Sequence, residues 1–217
     1  MSNNINDAKF LVIDFETTTP KGYPPEPIEL GLVRVDGTQI DSSAQKSWFI
    51  KPPVHAPLTS FDTSQTGITS KDLINAKSSG EIFDILEKIC GKQDYVFVAQ
   101  NAKYERSVCE RFYERRPSLA GRRFIDTILL AKHILPNLPN FKLDTLAKTL
   151  GIQIPPDRHR ALADCIITAQ VLSRLLSQSE LTDINQLFSI AEVKEQKEIL
   201  PHKNEQLTLF DNPADKK

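Results

Sequence analysis

An α/β domain, with a mixed sheet covered by helices, is the fold class this sequence predicts, and three observations carry it. The first is Phe10-Leu11-Val12-Ile13-Asp14, an apolar run too short for a helix and typical of a strand covered on both faces. The second is a pair of further strand-like stretches at 28–35 and 47–50, with the hairpin signal Asp36-Gly37 after the first of them. The third is a change of period after about residue 70, where apolar residues begin to recur at helical spacing. Antiparallel strands that give way to alternating helices and further strands fit a mixed sheet with helical cover.

The elements follow in order. Pro20, Pro24, Pro25 and Pro27 punctuate the loop after the first strand, because proline has no N–H to give to a ladder. Ile82, Phe83, Ile85, Leu86 and Ile89 mark a helix, and Gly91 stops it. Residues 95–99 read as another short buried strand. Helical patterns follow at 104–115, 126–135, 142–150 and 161–177, the third ended by Gly151. Residues 191–217 hold eleven charged side chains among twenty-seven, with Pro201 and Pro213, so they read as a flexible tail. The expected organisation is a single domain over 1–190 and a tail over 191–217, with no internal repeat.

Composition excludes several classes. With 217 residues, 40% hydrophobic and 25% charged, the chain is neither disordered, collagen-like nor disulfide-stapled. No apolar run approaches the length needed to cross a bilayer. The start Met1-Ser2-Asn3-Asn4 lacks a basic region followed by an apolar core, and Cys90, Cys109 and Cys165 are far apart and odd in number; both features predict a cytoplasmic protein with reduced thiols. A net charge of -1 means that the whole-molecule field does not hold a polyanion, so nucleic-acid binding would need local basic patches or metal.

Asp14 and Glu16 sit two apart at the end of the first strand and therefore project to one side. Two anions together beside a buried strand are unfavourable unless a cation neutralises them, which hard divalent ions with oxygen ligands do. Taken alone, an Asp-x-Glu is most often a solvated strand end. Its company changes the reading. Val96-Phe97-Val98-Ala99 leads into Gln100-Asn101-Ala102-Lys103-Tyr104-Glu105, a strand running into a helix with an acid one turn in. His159-Arg160-Ala161-Leu162-Ala163-Asp164 opens another apolar helix. Five residues turn an ideal helix through about 500°, so His159 and Asp164 converge only if His159 lies on the lead-in loop. Pro155 and Pro156 favour such a loop.

Asp14-Phe15-Glu16-Thr17-Thr18, Gln100-Asn101-x-x-Tyr104-Glu105 and His159-x-x-x-x-Asp164 together resemble the three motifs of the DnaQ-like 3′–5′ exonucleases that carry four acids and a histidine. The resemblance spans about residues 9–178 and extends to Thr66-Gly67-Ile68-Thr69, Phe124-Ile125-Asp126-Thr127 and Leu143-Asp144-Thr145-Leu146. Arg160 stands where the tyrosine version of the family would need its tyrosine, so the histidine version is the one resembled. What the resemblance implies is an RNase H-like sheet and a two-metal phosphodiesterase. Asp14, Glu16, Glu105 and Asp164 would hold two Mg²⁺ or Mn²⁺, and His159 would take the proton of the attacking water. Thr17, Thr18, Asn101, Arg158 and Arg160 would meet the substrate. The implied activity is release of nucleoside monophosphates from single-stranded or frayed DNA 3′ ends in replication or repair, beside a polymerase subunit. Alternatives are RNA trimming, or a non-catalytic end- or clamp-binding module.

The sequence departs from the family pattern at four places. Glu105 replaces the usual Asp, which leaves either a working site or a weak second metal. Gln100 and Thr66 stand where histidines are common, and Thr19 stands where a glycine is common. Residues 101–123 carry seven Lys or Arg, read either as a solvated face or as a phosphate track. In the tail, Gln206-Leu207-Thr208-Leu209-Phe210 resembles the peptide by which bacterial proteins dock on the sliding clamp, with Gln206, Leu207, Leu209 and Phe210 as the contact residues.

Overall fold

The computed structural model describes residues 3–155 and 160–194. The apolar run at the start becomes strand β1 (Lys9–Thr17), in which Phe10, Leu11, Val12 and Ile13 are each at most 1% exposed. A side chain of that size contributes about 1.5–3 kcal/mol when fully buried, so this strand anchors both faces of the sheet. β2 (Pro27–Asp36) and β3 (Gln39–Lys51) follow as an antiparallel hairpin, turned at Gly37 with φ 60°. The hairpin signal is met, but β3 begins well before the expected residue 47. Its first half, Asp41–Lys46, is polar and partly exposed and so shows no apolar alternation.

Two short helices, α1 (Ser60–Thr66) and α2 (Ser70–Leu73), then a two-residue strand β4 (Lys77–Ser78), lead into α3 (Ser79–Cys90). Ser78 and Glu81 form a capping box at its start. β5 (Val96–Ala99) runs into α4 (Ala102–Glu110), shorter than the expected 104–115 pattern. After α5 (Pro117–Ala120) comes β6 (Phe124–Asp126), three residues that sequence periodicity could not separate from the following α6 (Thr127–Ile134). α7 (Leu143–Thr149), α8 (Ala161–Gln178) and α9 (Ile184–Ala191) complete the helices among the described residues, and β7 (Glu192–Val193) pairs antiparallel with β6. The sheet and helix thus continue past the expected domain limit at 190: Ala191 is fully buried, and a two-residue strand leaves no pattern to read.

The seven strands among the described residues lie in the order β4-β3-β2-β1-β5-β6-β7, with β1 at the centre and parallel to β5. This is the expected mixed sheet, in an RNase H-like arrangement. Phe10 and Val12 pack with α6–α9 on one face, while Leu11, Ile13 and Phe15 pack with α3–α5 on the other. Cys90, Cys109 and Cys165 are buried and unbridged. Among the described residues no helix is long and apolar enough to cross a membrane.

Candidate active site

β1 delivers two acids because its alternation continues past the core. Asp14 and Glu16 follow Phe10 and Val12 on the face that meets α8, and both are half-buried. On α8 the first turn carries Asp164, whose amide donates to the Arg160 carbonyl at 3.0 Å. One ligand oxygen from each of Asp14, Glu16 and Asp164 lies within 4.8 Å of the other two. Three carboxylates that close repel one another unless a cation joins them. An all-oxygen donor set suits a hard divalent ion of the magnesium or manganese kind, so the residues present fit the metal the sequence implies.

The fourth acid approaches differently. β5 ends at Ala99, and the chain turns through Asn101 in the left-handed region (φ 68°) before α4 begins. Asparagine tolerates that conformation better than most residues. The Asp126 carboxylate, at the end of β6, accepts from the Asn101 amide at 3.2 Å and the Ile128 amide at 2.8 Å, so it fixes the start of α4 and caps α6 at once. Glu105 then falls in the first turn of α4, only 3% exposed. Its Oε2 has no hydrogen-bond partner among the described residues. Burial, then the charges of Asp14, Asp126 and Glu16, hold its carboxyl well above the ordinary glutamate range. A buried, orphaned carboxylate oxygen next to three further acids is what an inner cation contact would satisfy.

The remaining predicted residues are placed as follows. Thr17 shares a 2.6 Å hydrogen bond with the Tyr104 hydroxyl, tying the end of β1 to α4. Thr18 is fully buried and pairs with the Glu26 backbone, so its side chain shapes the loop after β1. Thr19 is exposed, and both its amide and its hydroxyl donate to Asp62. Asp62 is 2% exposed and also takes the Thr59 amide and hydroxyl; these bonds outweigh its burial and keep its carboxyl below the usual range. Arg160 directs its guanidinium to Glu29 rather than outward. His159, Arg158 and the tail residues Gln206, Leu207, Leu209 and Phe210 lie outside the described residues. Glu29 and Asp62 escaped sequence reasoning, and Asp126 entered it only within the resembling segment 124–127, with no role assigned to it. For Asp62 a signal existed in Thr59-x-x-Asp62, a capping pattern; for Glu29, 131 residues from Arg160, none did.

Residues 11–172 match the family model RNase_T, described as Exonuclease. The chain belongs to the exonuclease family. Over 195 residues the exonuclease is 33% identical to the DNA polymerase III PolC-type of Thermotoga maritima, covering 89% of this chain and 14% of that protein. Across the PolC-type relatives it spans between 11 and 14% of their length. Among solved structures it is similar to Exonuclease X in complex with 5′ overhanging duplex DNA, at 26% identity and TM-score 0.64, over 83% of this chain and 98% of that one. It also shares the fold of the nuclease domain of 3′hExo, a DEDDh family member bound to rAMP (19% identity, TM-score 0.68, 82% and 96% covered).

Much of the basic stretch that could be a solvated face or a phosphate track is already engaged. Arg106 pairs with Glu110, Arg111 with Glu26, Arg116 with Asp84, Arg122 with Asp94 and Arg123 with Glu192. Five of the seven cations between 101 and 123 therefore bind acids of the domain itself, which favours the solvated-face reading of that stretch.

Proposed function

We propose that this exonuclease hydrolyses the terminal phosphodiester of DNA in the 3′–5′ direction and releases nucleoside monophosphates, with two divalent ions, Mg²⁺ or Mn²⁺, at the acid cluster. The single observation that carries the reading is the convergence of Asp14, Glu16 and Asp164 within 4.8 Å in a chain of this family. Asp14, Glu16 and Asp164 would hold one ion, and Glu105 would support a second beside Asp14. When bound, such ions supply positive charge to both the attacking and the departing oxygen. The chain's own groups do the rest. The carboxylates orient the scissile phosphate by holding its counter-charge, and the Thr17–Tyr104 bond fixes the strand end next to it. His159 accepts the proton from water, a role for which imidazole chemistry is suited because that side-chain type exchanges protons near neutral pH. Asn101, Arg158 and Thr17 would contact the terminal nucleotide.

DNA is favoured as substrate by the PolC-type polymerase relative and by the duplex DNA in the Exonuclease X structure. The same likenesses support action beside a replication or repair polymerase. Residues 206–210 would tether the enzyme to the sliding clamp and raise its effective concentration at DNA ends; loss of clamp binding in Phe210→Ala, with nuclease activity kept, is the expected result. The central test is digestion of matched 3′-labelled DNA and RNA with Mg²⁺ and with Mn²⁺. Stepwise loss of the DNA label is expected, with Asp14→Ala slower by more than about a hundredfold, the scale of losing a preorganised electrostatic group, and with unchanged circular dichroism. Full activity in Asp14→Ala or in excess chelator would rule the mechanism out. Preference for the RNA would move the substrate assignment, and no turnover with either metal would leave a binding module.

A further inference from the structure

Two residues of β2 that the proposed chemistry does not use stand directly opposite the acids of β1. Glu29 is the cross-strand partner of Glu16, and Gly31 is that of Asp14. Directly opposed residues of an antiparallel pair project to the same face, so the four make one patch, and the start of α8 lands on it. At Gly31 the approach is so close that a Cβ would lie 2.3 Å from the Ala161 carbonyl oxygen. Glycine alone admits the helix there.

Glu29, two positions along, holds what Gly31 admits. Its carboxylate is 1% exposed and accepts Nε and Nη2 of Arg160 at 3.0 and 2.9 Å, the Ala161 amide at 3.2 Å and the Ser47 hydroxyl at 2.7 Å. An acid opposite Glu16 would ordinarily repel it or join it as a metal ligand. Here four donors saturate the carboxylate, and the Arg160 guanidinium matches its charge, so Glu29 is withdrawn from the ligand set. The Arg160 guanidinium also lies over the Phe49 ring, 5.2 Å from its centroid. α8 itself has no side-chain N-cap. Its first amide is capped instead from β2, 132 residues away in the chain.

We infer that Glu29, acting through Arg160 and the Ala161 amide, is the positioning residue that sets where Asp164 stands against Asp14 and Glu16. Asp164 lies less than one helical turn beyond Ala161 and bonds back to the Arg160 carbonyl, so a shift at the anchor passes to the carboxylate. Ligand geometry tolerates about 0.5 Å of misplacement, which makes the anchor consequential. Arg160 thereby serves the protein's own carboxylate and not a substrate phosphate. The inference rests on the metal-centre reading given above.

The test is titration of MnCl₂ into the full-length metal-free protein by calorimetry, paired with DNA digestion at saturating Mn²⁺. Glu29→Ala and Arg160→Ala are each expected to weaken Mn²⁺ binding by about ten- to a hundredfold, the range for residues that orient ligands, while KM for DNA at saturating metal stays put. The double variant should bind Mn²⁺ no worse than the weaker single one, because both changes break one unit. Glu29→Gln, which keeps an acceptor for the Ala161 amide, should lose less. Wild-type Mn²⁺ affinity in folded Glu29→Ala and Arg160→Ala would overturn the inference. So would a raised KM for DNA in Arg160→Ala with metal affinity intact. Should Glu29→Ala fail to fold, Arg160→Ala and Glu29→Gln decide the matter by the same readouts. A wild-type protein that binds no Mn²⁺ would instead overturn the metal centre itself and the inference with it.

Discussion

The two helices that carry acids to the site begin alike and end differently. α8 starts on a buried carboxylate from a neighbouring strand, Glu29, and α4 starts on another, Asp126. Glu29 is balanced by a guanidinium of the protein, and the acid its helix delivers, Asp164, stays half-buried and close to Asp14 and Glu16. Among the described residues no guanidinium bonds Asp126: burial raises its carboxyl above the usual range against the amides it accepts and the charge of Lys132, and the acid its helix delivers, Glu105, is buried with an oxygen that lacks a partner among those residues. The anchor of one helix is thus charge-balanced by the fold and that of the other is not, while the acids that both helices deliver are left for cations from solution to balance. The environment of Glu105 penalises its charged form until something positive arrives.

Three substitutions would break or sharpen that contrast. Gly31→Ala should be the most damaging, because its methyl would meet backbone and force α8 off β2. A loss of about 3 kcal/mol, at the upper end for overpacking, is expected in urea unfolding. Asp126→Ala comes next. It removes the acceptor from the starts of α4 and α6 and should cost about 2 kcal/mol, the upper range for a lost cap. Glu105→Gln should be the smallest and of opposite sign. In excess chelator it should stabilise the protein by about 1 kcal/mol at neutral pH, since an amide removes a buried charge that has no partner for one oxygen. The sign follows from linkage. The folded pKa of Glu105 lies above its unfolded value near 4.5, so the folded state binds the proton more tightly. Its contribution is therefore full below that value and is lost as pH rises toward the folded pKa. Thermal melts across this range should decline with pH in the wild type and decline less in Glu105→Gln. A decline of equal slope in both would remove Glu105 as the cause.

Much of this was legible in the residues themselves. The buried run of β1 announced the central strand, and two-residue spacing put Asp14 and Glu16 on one face. The helix over 161–177 was readable from its apolar residues, and Asp164 does fall in its first turn. What could not be read shares one physical character: it depends on partners distant in the chain or on elements too short to show a period. β6 and β7 are three and two residues long. Glu29 looked like one polar residue inside a strand, and its significance comes from Arg160. The arginines between 101 and 123 could be read as a solvated face or as a track until their acidic partners, some on other elements, were placed beside them.

The β1–β2 ladder also governs the order in which the molecule can assemble. Side chains alternate along each strand, so a slip of one position between β1 and β2 would turn Glu29 and Gly31 away from the face that bears Asp14 and Glu16. The Gly37 turn guards against this, because its amide donates to the Ala8 carbonyl at 2.8 Å and so closes the end of the β1–β2 ladder. It must close correctly early, because synthesis proceeds from the amino terminus and α8 emerges long after the hairpin. The late-arriving helix is then selected by a template already cast, and an error made in the first forty residues would surface only when the last acid failed to find its seat.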